Sequence, residues 1–225
     1  MKTSVAAVVS CLLSAMTSGA LDAHAESTSR SASASPSPGA GTASPAGTSK
    51  KMATPSAPTA PQVASLAAGC FWGTEEFFRK VPGVISTRVG YTGGRSENPT
   101  YEDTSSGTTG HAESLELTFN PAQVTYAELL TLFFKMHDPT TANRQGNDVG
   151  TQYRSAIFYH DEGQRRVAAA LMQKIEKSGA WRSRLTTELA PAGVFYPAEE
   201  YHQRYLVKHP GGYDNHYLRN LSFDP

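Results

Sequence analysis

The sequence predicts an α+β domain, a two-layer sandwich in which a mixed sheet surrounds a split β-α-β, ferredoxin-like core. Three observations carry that expectation. At Gln62 the composition changes abruptly, from small and polar residues to a mixture of apolar, aromatic and charged ones. Beyond it, short apolar or alternating segments exchange with segments of helical period in the order strand, helix, strand, strand, helix, strand, helix. Two of the helical segments open on capping-box spacing, Thr125 with Glu128 and Asp161 with Gln164.

The first quarter of the chain lies outside that domain. Lys2 precedes an apolar, small-residue run over 4–16, and "AHA" at 23–25 provides small residues before Glu26, the pattern of a secretory leader over residues 1–25. The run is too short to span a bilayer. Cys11 follows "VVS", a loose likeness to a lipoprotein cleavage box, but cleavage there would leave an unusually short apolar region, so lipidation is the weaker reading. The expected location is exported, periplasmic or extracellular, with an uncleaved leader acting as a membrane tether as the alternative. Residues 26–61 are almost wholly Ser, Ala, Pro, Thr and Gly, without an aromatic residue, and cannot offset chain entropy by burial; a disordered linker is expected.

Residues 62–225 remain, 164 residues with 16 Lys and Arg against 18 Asp and Glu. That is enough for one cored domain, and the charge balance argues against a broad attraction to nucleic acid or anionic membrane. "QVASLAAG" is a short apolar segment ending in Gly69, and "CFWGTEEFFRKV" reads as a helix closed by Pro82 and Gly83, with Cys70 at its N-terminus. "VISTRVGY" reads as a strand, followed by a long Gly/Ser/Thr/Asn loop. "SLELTFN" alternates Leu115, Leu117 and Phe119, a half-buried strand. "TYAELLTLFFKM" predicts a helix stopping at "HDP", and residues 139–152 a second polar loop feeding the strand "YRSAIFYH". From Asp161 a helix is expected through about Lys177 with Val167, Leu171 and Ile175 on one face. A short strand near "LTTEL" and a last helix around "AEEYHQRYLVKH" complete the plan.

Outside the leader, Cys70 is the only cysteine, so no disulfide can form within the mature domain. An isolated cysteine is most often a small buried hydrophobe. Here Gly69 permits a tight entry, a helix N-terminus favours thiolate, and Phe71 and Trp72 can wall a pocket. The polar loops offer partners: Tyr101, His111 and Glu113 at the mouth of one strand, Asp148 and Tyr153 at the mouth of another. Singly, each has an ordinary explanation. His111 can fix a loop, Glu113 can be a solvated strand-end charge, the tyrosines can edge the core and Asp148 can form a turn.

Four segments in order, "GCFWGTEEFF", "TGHAE", "HDPTTANRQGNDVGTQYRS" and "AEEYHQRYL", closely resemble the A-type peptide methionine sulfoxide reductases, over about residues 63–213. The resemblance implies reduction of the S epimer of methionine sulfoxide, in proteins and as the free amino acid, through a sulfenic acid on Cys70, and hence repair of oxidised proteins. It implies Cys70 as nucleophile, Glu113 as acid, Tyr101 and Tyr153 as a phenol pair, Asp148 as the carboxylate of a polar network, and Phe71 and Trp72 as the methyl-binding wall. His111 belongs to the motif without being cast as the acid. The chemistry suits these residue types: a sulfoxide oxygen leaves only when protonated, and a desolvated glutamic acid keeps a proton to give. Phenols can hold the oxygen by hydrogen bonds while aromatic walls take the methyl group.

The tail departs from the common pattern. Where many such reductases carry a recycling cysteine after a "GY" pair, this chain reads "PGGYDNHYLRNLSFDP" with Asp214 at that place. No bound cofactor or metal is expected; the reductant is expected to be an external thiol, a thioredoxin-like protein or a small thiol. The chain is expected to be a monomer whose partners are oxidised proteins and peptides and that reductant. Two rival readings are a Cys-His hydrolase using His111 as base, and a non-enzymatic peptide-binding module with an inert Cys70. His202, His209 and His216 recur every seven residues, but "PGG" interrupts a common face, and they are read as structural or surface residues rather than metal ligands.

Overall fold

The computed structural model describes residues 60–224. The expected leader and residues 26–59 of the expected linker lie outside the described residues. The elements are β1 (Gln62–Ala68), α1 (Phe71–Phe78), β2 (Val84–Thr92), α2 (Tyr101–Ser105), β3 (Ala112–Phe119), α3 (Tyr126–Met136), β4 (Arg144–Gln145), β5 (Asp148–Val149), β6 (Ser155–Tyr159), α4 (Glu162–Ser178), β7 (Glu188–Pro191), β8 (Tyr196–Pro197) and α5 (Tyr205–Lys208).

Six strands form one sheet in the order β7-β6-β1-β3-β2-β8, and β4 pairs with β5 as a separate hairpin. β1 runs antiparallel to both β3 and β6, and β3 runs antiparallel to β2. β1 and β2 therefore point the same way with β3 between them, which is the split β-α-β unit. β7 adds to β6 in parallel through the α4 crossover, making the sheet mixed.

The core lies between the sheet and its helices. Leu115, Leu117 and Phe119 are wholly buried while Glu116 and Thr118 between them are partly exposed, as strand alternation requires. Leu129, Leu130, Phe133, Phe134 and Met136 of α3 and Phe78 of α1 fill the space above them. Glu113 shares the face of Leu115 and Leu117, so the strand that forms the core also carries this carboxyl inward. Leu66 of β1 faces Leu115, and the chain leaving β1 toward Cys70 thus passes the start of β3 where Glu113 lies.

α3 starts as the sequence predicts: Thr125 accepts from the Glu128 N–H at 3.2 Å and Glu128 accepts from the Thr125 N–H at 2.8 Å. α4 has half of its expected box. Asp161 accepts from the Gln164 N–H at 2.8 Å, but the Gln164 amide turns away to donate to Val63 O at 2.7 Å, tying α4 to β1. Its buried stripe is Gln164, Ala168 and Ile175, with Leu171 partly buried; Val167 is exposed, one position off the expected face.

Three other elements differ from expectation. The loop after β2 contains α2, opened by a Thr100–Asp103 capping box that lay unread among its Ser, Thr and Gly residues. The strand expected near "LTTEL" begins only at Glu188, because Thr186 gives its N–H to Pro139 O at 2.7 Å and Thr187 exchanges a hydroxyl bond with Ser155 at 2.8 Å. The last helix shrinks to α5. Arg204 sits at φ 52 and donates its N–H at 2.7 Å to the buried Glu75, which holds residues 200–204 in turns.

Candidate active site

Cys70 caps α1 at its N-terminus and is 7 % exposed. The preceding Gly69 has φ +93, a conformation that favours glycine, and a Cβ there would fall 2.5 Å from the Gln145 Cβ. Strand, tight turn and helix start thus fix the thiol at the end of β1. A cavity of about 210 Å³ opens there, lined by Cys70, Phe71, Trp72, Tyr101, Glu113, Asp148, Tyr153 and Tyr213. All seven residues to which the resemblance gives a role meet in it, from five separate stretches of chain.

Each arrives by a different local device. Glu113 lies at the start of β3, 2 % exposed, and its Oε2 accepts the Phe71 N–H at 3.1 Å. Tyr101 begins α2, whose first turn is pinned when its N–H donates to Glu199 Oε1 at 2.9 Å. Asp148 begins β5, directly opposite Gln145 across the hairpin. Tyr153 ends a single 3-10 turn over Thr151–Tyr153 before β6.

Burial dominates the electrostatics. It raises the Glu113 pKa to about 8, with the Asp148 charge adding and the Phe71 N–H opposing. Glu113 therefore keeps its proton at neutral pH. Burial likewise pushes the Cys70 thiol up, followed by the charges of Glu113 and Asp148, while backbone N–H groups of Trp72 and Gly73 pull it down. The helix N-terminus expected to favour thiolate is thus present but outweighed by desolvation. Burial also raises the Tyr101 and Tyr153 phenols, so both remain O–H donors.

Residues given no place in the site by the sequence support the walls. The Trp72 indole lies flat on Tyr205, ring centroids 3.7 Å apart at 10°, and its Nε1 donates to His202 Nδ1 at 3.0 Å. His202, 1 % exposed, packs against Phe71 at 5.1 Å and Tyr101 at 4.5 Å. Tyr213 and Asn215 of the tail hold Asp148, as described below. His202 and Tyr205 stand in "AEEYHQRYL", where Tyr205 has no role legible in the sequence and His202 is read as structural or surface, its burial making it structural; nothing in the sequence alone marked Tyr213 or Asn215.

His111 is elsewhere. Its Nδ1 accepts the Gly94 N–H at 3.1 Å and its Nε2 donates to Ser96 O at 2.8 Å, so it fixes a loop and lines no part of the Cys70 cavity. A Cys-His hydrolase would have lost its base.

A thiol beside a carboxylic acid that retains its proton can take an oxygen atom from a substrate and protonate it as it leaves, which is the equipment of a thiol-dependent oxidoreductase. Comparison with known proteins narrows that class. The model of the family described as peptide methionine sulfoxide reductase matches residues 62–222, and the chain belongs to that family, in its A-type branch. It is 60 % identical over 147 residues to the peptide methionine sulfoxide reductase MsrA of Methanothermobacter thermautotrophicus, covering 65 % of this chain and 87 % of that protein. With the MsrA of Geobacter sulfurreducens it shares 54 % over 154 residues, 68 % of this chain and 95 % of that one. Among solved structures, the reduced form of Mxr1 from Saccharomyces cerevisiae aligns with a TM-score of 0.67 at 41 % identity, covering 72 % of this chain and 94 % of that chain. Methionine sulfoxide reductase A of Corynebacterium diphtheriae aligns at 0.61 and 40 % identity, over 72 % and 81 % respectively.

Proposed function

We propose that the cavity reduces the S epimer of methionine sulfoxide in oxidised proteins and peptides, and in the free amino acid, with Cys70 as nucleophile and Glu113 as acid. The observation that carries this reading is the buried Glu113, its pKa raised to about 8, in one small cavity with the thiol. The Cys70 sulfur attacks the sulfoxide sulfur while Glu113 gives its proton to the sulfoxide oxygen. Tyr101 and Tyr153 donate hydrogen bonds to that oxygen as its charge changes. The oxygen then passes to the Cys70 sulfur: a bond from oxygen to Cys70 forms as the substrate sulfur–oxygen bond and the transient sulfur–sulfur bond break, leaving a sulfenic acid on Cys70 and free methionine, and the thiol proton restores Glu113. Cys70 is oxidised by two electrons and the sulfoxide sulfur is reduced by two.

Phe71 and Trp72 take the S-methyl group, and Asp148 orders the polar rim. Trp72→Ala is expected to raise KM about tenfold or more with a smaller fall in kcat, because it removes apolar binding common to ground and transition states. Steady-state kinetics on a sulfoxide peptide measure this, and an unchanged KM would remove the wall assignment.

Recycling is by an external thiol. Among residues 62–225 only Cys70 is a cysteine, so an incoming thiol, on a thioredoxin-like protein or a small molecule, condenses with the sulfenic acid, releases water and leaves a mixed disulfide. A second external thiol then restores Cys70. No bound cofactor enters. The chain is proposed to act as a monomer. The catalytic domain spans 62–225 behind a linker and an export leader, a reading supported by Lys2, the apolar run after it and "AHA" at 23–25.

A further inference from the structure

The tail from Tyr213 to His216 alternates. Tyr213 and Asn215 turn to Asp148: the Tyr213 hydroxyl donates to Asp148 Oδ1 at 3.0 Å, and the Asn215 amide donates to Asp148 Oδ2 at 2.9 Å and to Gln145 O at 2.9 Å. Asp214 and His216 turn the opposite way, toward the end of β1 and the first turn of α1. His216 Nε2 donates to Ala68 O at 2.7 Å, its Nδ1 lies 3.1 Å from Asp214 Oδ1, and the same oxygen accepts the His216 N–H at 2.9 Å. Extended chain sends successive side chains to opposite sides, so whatever seats one pair aims the other.

The seat is shaped to the clasping pair. The His216 side chain is 1 % exposed, both its ring nitrogens face oxygen atoms, and Ala68 O lies two residues before Cys70. A Cβ on Gly73 would collide with Asp214 Oδ1 and His216 Nδ1, so the glycine in the first turn of α1 makes room for them. Beyond the pair, the tail is tied to the end of α3 by N–H bonds from Tyr217 to Met136 O at 3.2 Å and from Arg219 to Lys135 O at 3.0 Å. Among the described residues, the Asp148 carboxylate receives hydrogen bonds from Tyr213 and Asn215 and from no other group.

We propose that Asp214 and His216 form a clasp that positions the reduction machinery: it seats the tail against β1 and α1 so that Tyr213 and Asn215 hold the Asp148 carboxylate in the wall of the Cys70 cavity. The inference rests on the sulfoxide-reductase reading of that cavity. It gives the cysteine-free tail a use: residues that carry no recycling thiol instead become a fixed side of the active site. The clasp acts through charge placement. Glu113 is faced by Cys70, Asp148, Tyr91, Tyr101 and Tyr153, and the Asp148 carboxylate is the group in that set whose charge raises the Glu113 pKa. Held in place, it favours the protonated acid; released into solvent, it no longer does.

The test is single-turnover reduction of an S-sulfoxide peptide across pH, in wild type, His216→Ala, His216→Gln and Asp214→Ala. His216→Ala and Asp214→Ala are expected to slow the step about tenfold, the cost of small misplacements in a reacting site, and to move the alkaline fall in rate downward by about half a pH unit or more. His216→Gln places an amide nitrogen near the old Nε2, keeps the bond to Ala68 O, and should recover part of both effects. Thermal melting reports folding; if His216→Ala does not fold, Asp214→Ala, whose side chain is one-third exposed, decides the matter. Folded variants with the wild-type rate and alkaline limb would overturn the clasp. A wild type that reduced no sulfoxide would instead overturn the reductase reading. The pH dependence of Cys70 alkylation would then still decide the clasp, with release of Asp148 expected to shift it to lower pH and an unshifted curve counting against it.

Discussion

Glu113→Gln should slow sulfoxide reduction about 10²- to 10⁴-fold near neutral pH, the usual worth of a positioned general acid. Glutamine keeps the shape and the acceptor for the Phe71 N–H, now 3.1 Å from the carboxylate, but has no proton to give to a departing oxygen. The pH profile separates this from a packing defect. Wild-type Glu113 is protonated below about pH 8, so the single-turnover rate should hold through neutrality and fall about tenfold per pH unit above it. In the variant that fall should disappear.

Stability should also fall as pH rises. The folded pKa lies above the unfolded one, so the contribution is fully present below the ordinary carboxyl value of 4.5 and is lost as pH rises through about 8. The shift corresponds to roughly 5 kcal/mol, as an upper figure. Wild type should therefore lose more stability than Glu113→Gln between about pH 5 and about pH 9, measured by denaturant melts. A variant that reduces sulfoxide at the wild-type rate would remove Glu113 from the chemistry.

Cys70→Ser should abolish reduction altogether. A serine oxygen cannot accept the oxygen atom that sulfur takes up, and within 62–225 there is no second sulfur nucleophile, since Cys70 is the only cysteine there. The change is nearly isosteric at a position 7 % exposed, so the fold should survive it. Wild type without added thiol should release one methionine per chain and stop. A thiol should restart it, and mass measurement on stalled wild type should show no internal disulfide. An internal disulfide would require Cys11 as the partner and would contradict recycling by an external thiol alone.

Most of the sheet was legible because its strands carry simple periods. Leu115, Leu117 and Phe119 alternate, and the same alternation extended two residues back accounts for the burial of Glu113. Thr125 and Glu128 announced α3 by a local hydrogen-bond pair that needs no tertiary context. What the sequence hid depends on distant partners. α5 is short because Arg204 gives its N–H to Glu75, 129 residues away. β7 starts late because Thr186 bonds to Pro139, 47 residues away.

The site divides along the same line. Cys70 was marked by its place after Gly69 at a helix start, Phe71, Trp72, Glu113, Asp148 and Tyr153 by the motifs that hold them, and Tyr101 only by its place in the polar loop before Glu113. Tyr213 and Asn215 escaped, and His216 was legible only as a structural or surface residue, because their meaning comes from Asp148 and Ala68, 65 and 148 residues distant in the Tyr213 and His216 hydrogen bonds. The expected helix-end activation of Cys70 was a local inference, and burial, a tertiary quantity, outweighed it.

The central claim is an oxygen transfer from the sulfoxide to Cys70 in a cavity with fixed methyl and oxygen sides. Mass spectrometry of the Cys70 peptide tests it most directly, after incubation of the domain with each separate epimer of a methionine sulfoxide peptide, with a sulfenic-acid trap and without thiol. The account predicts one trapped sulfenic acid on Cys70 and one equivalent of methionine from the S epimer, and neither from the R epimer. Methionine formed with Cys70 unmodified, or modification driven by the R epimer, would contradict it.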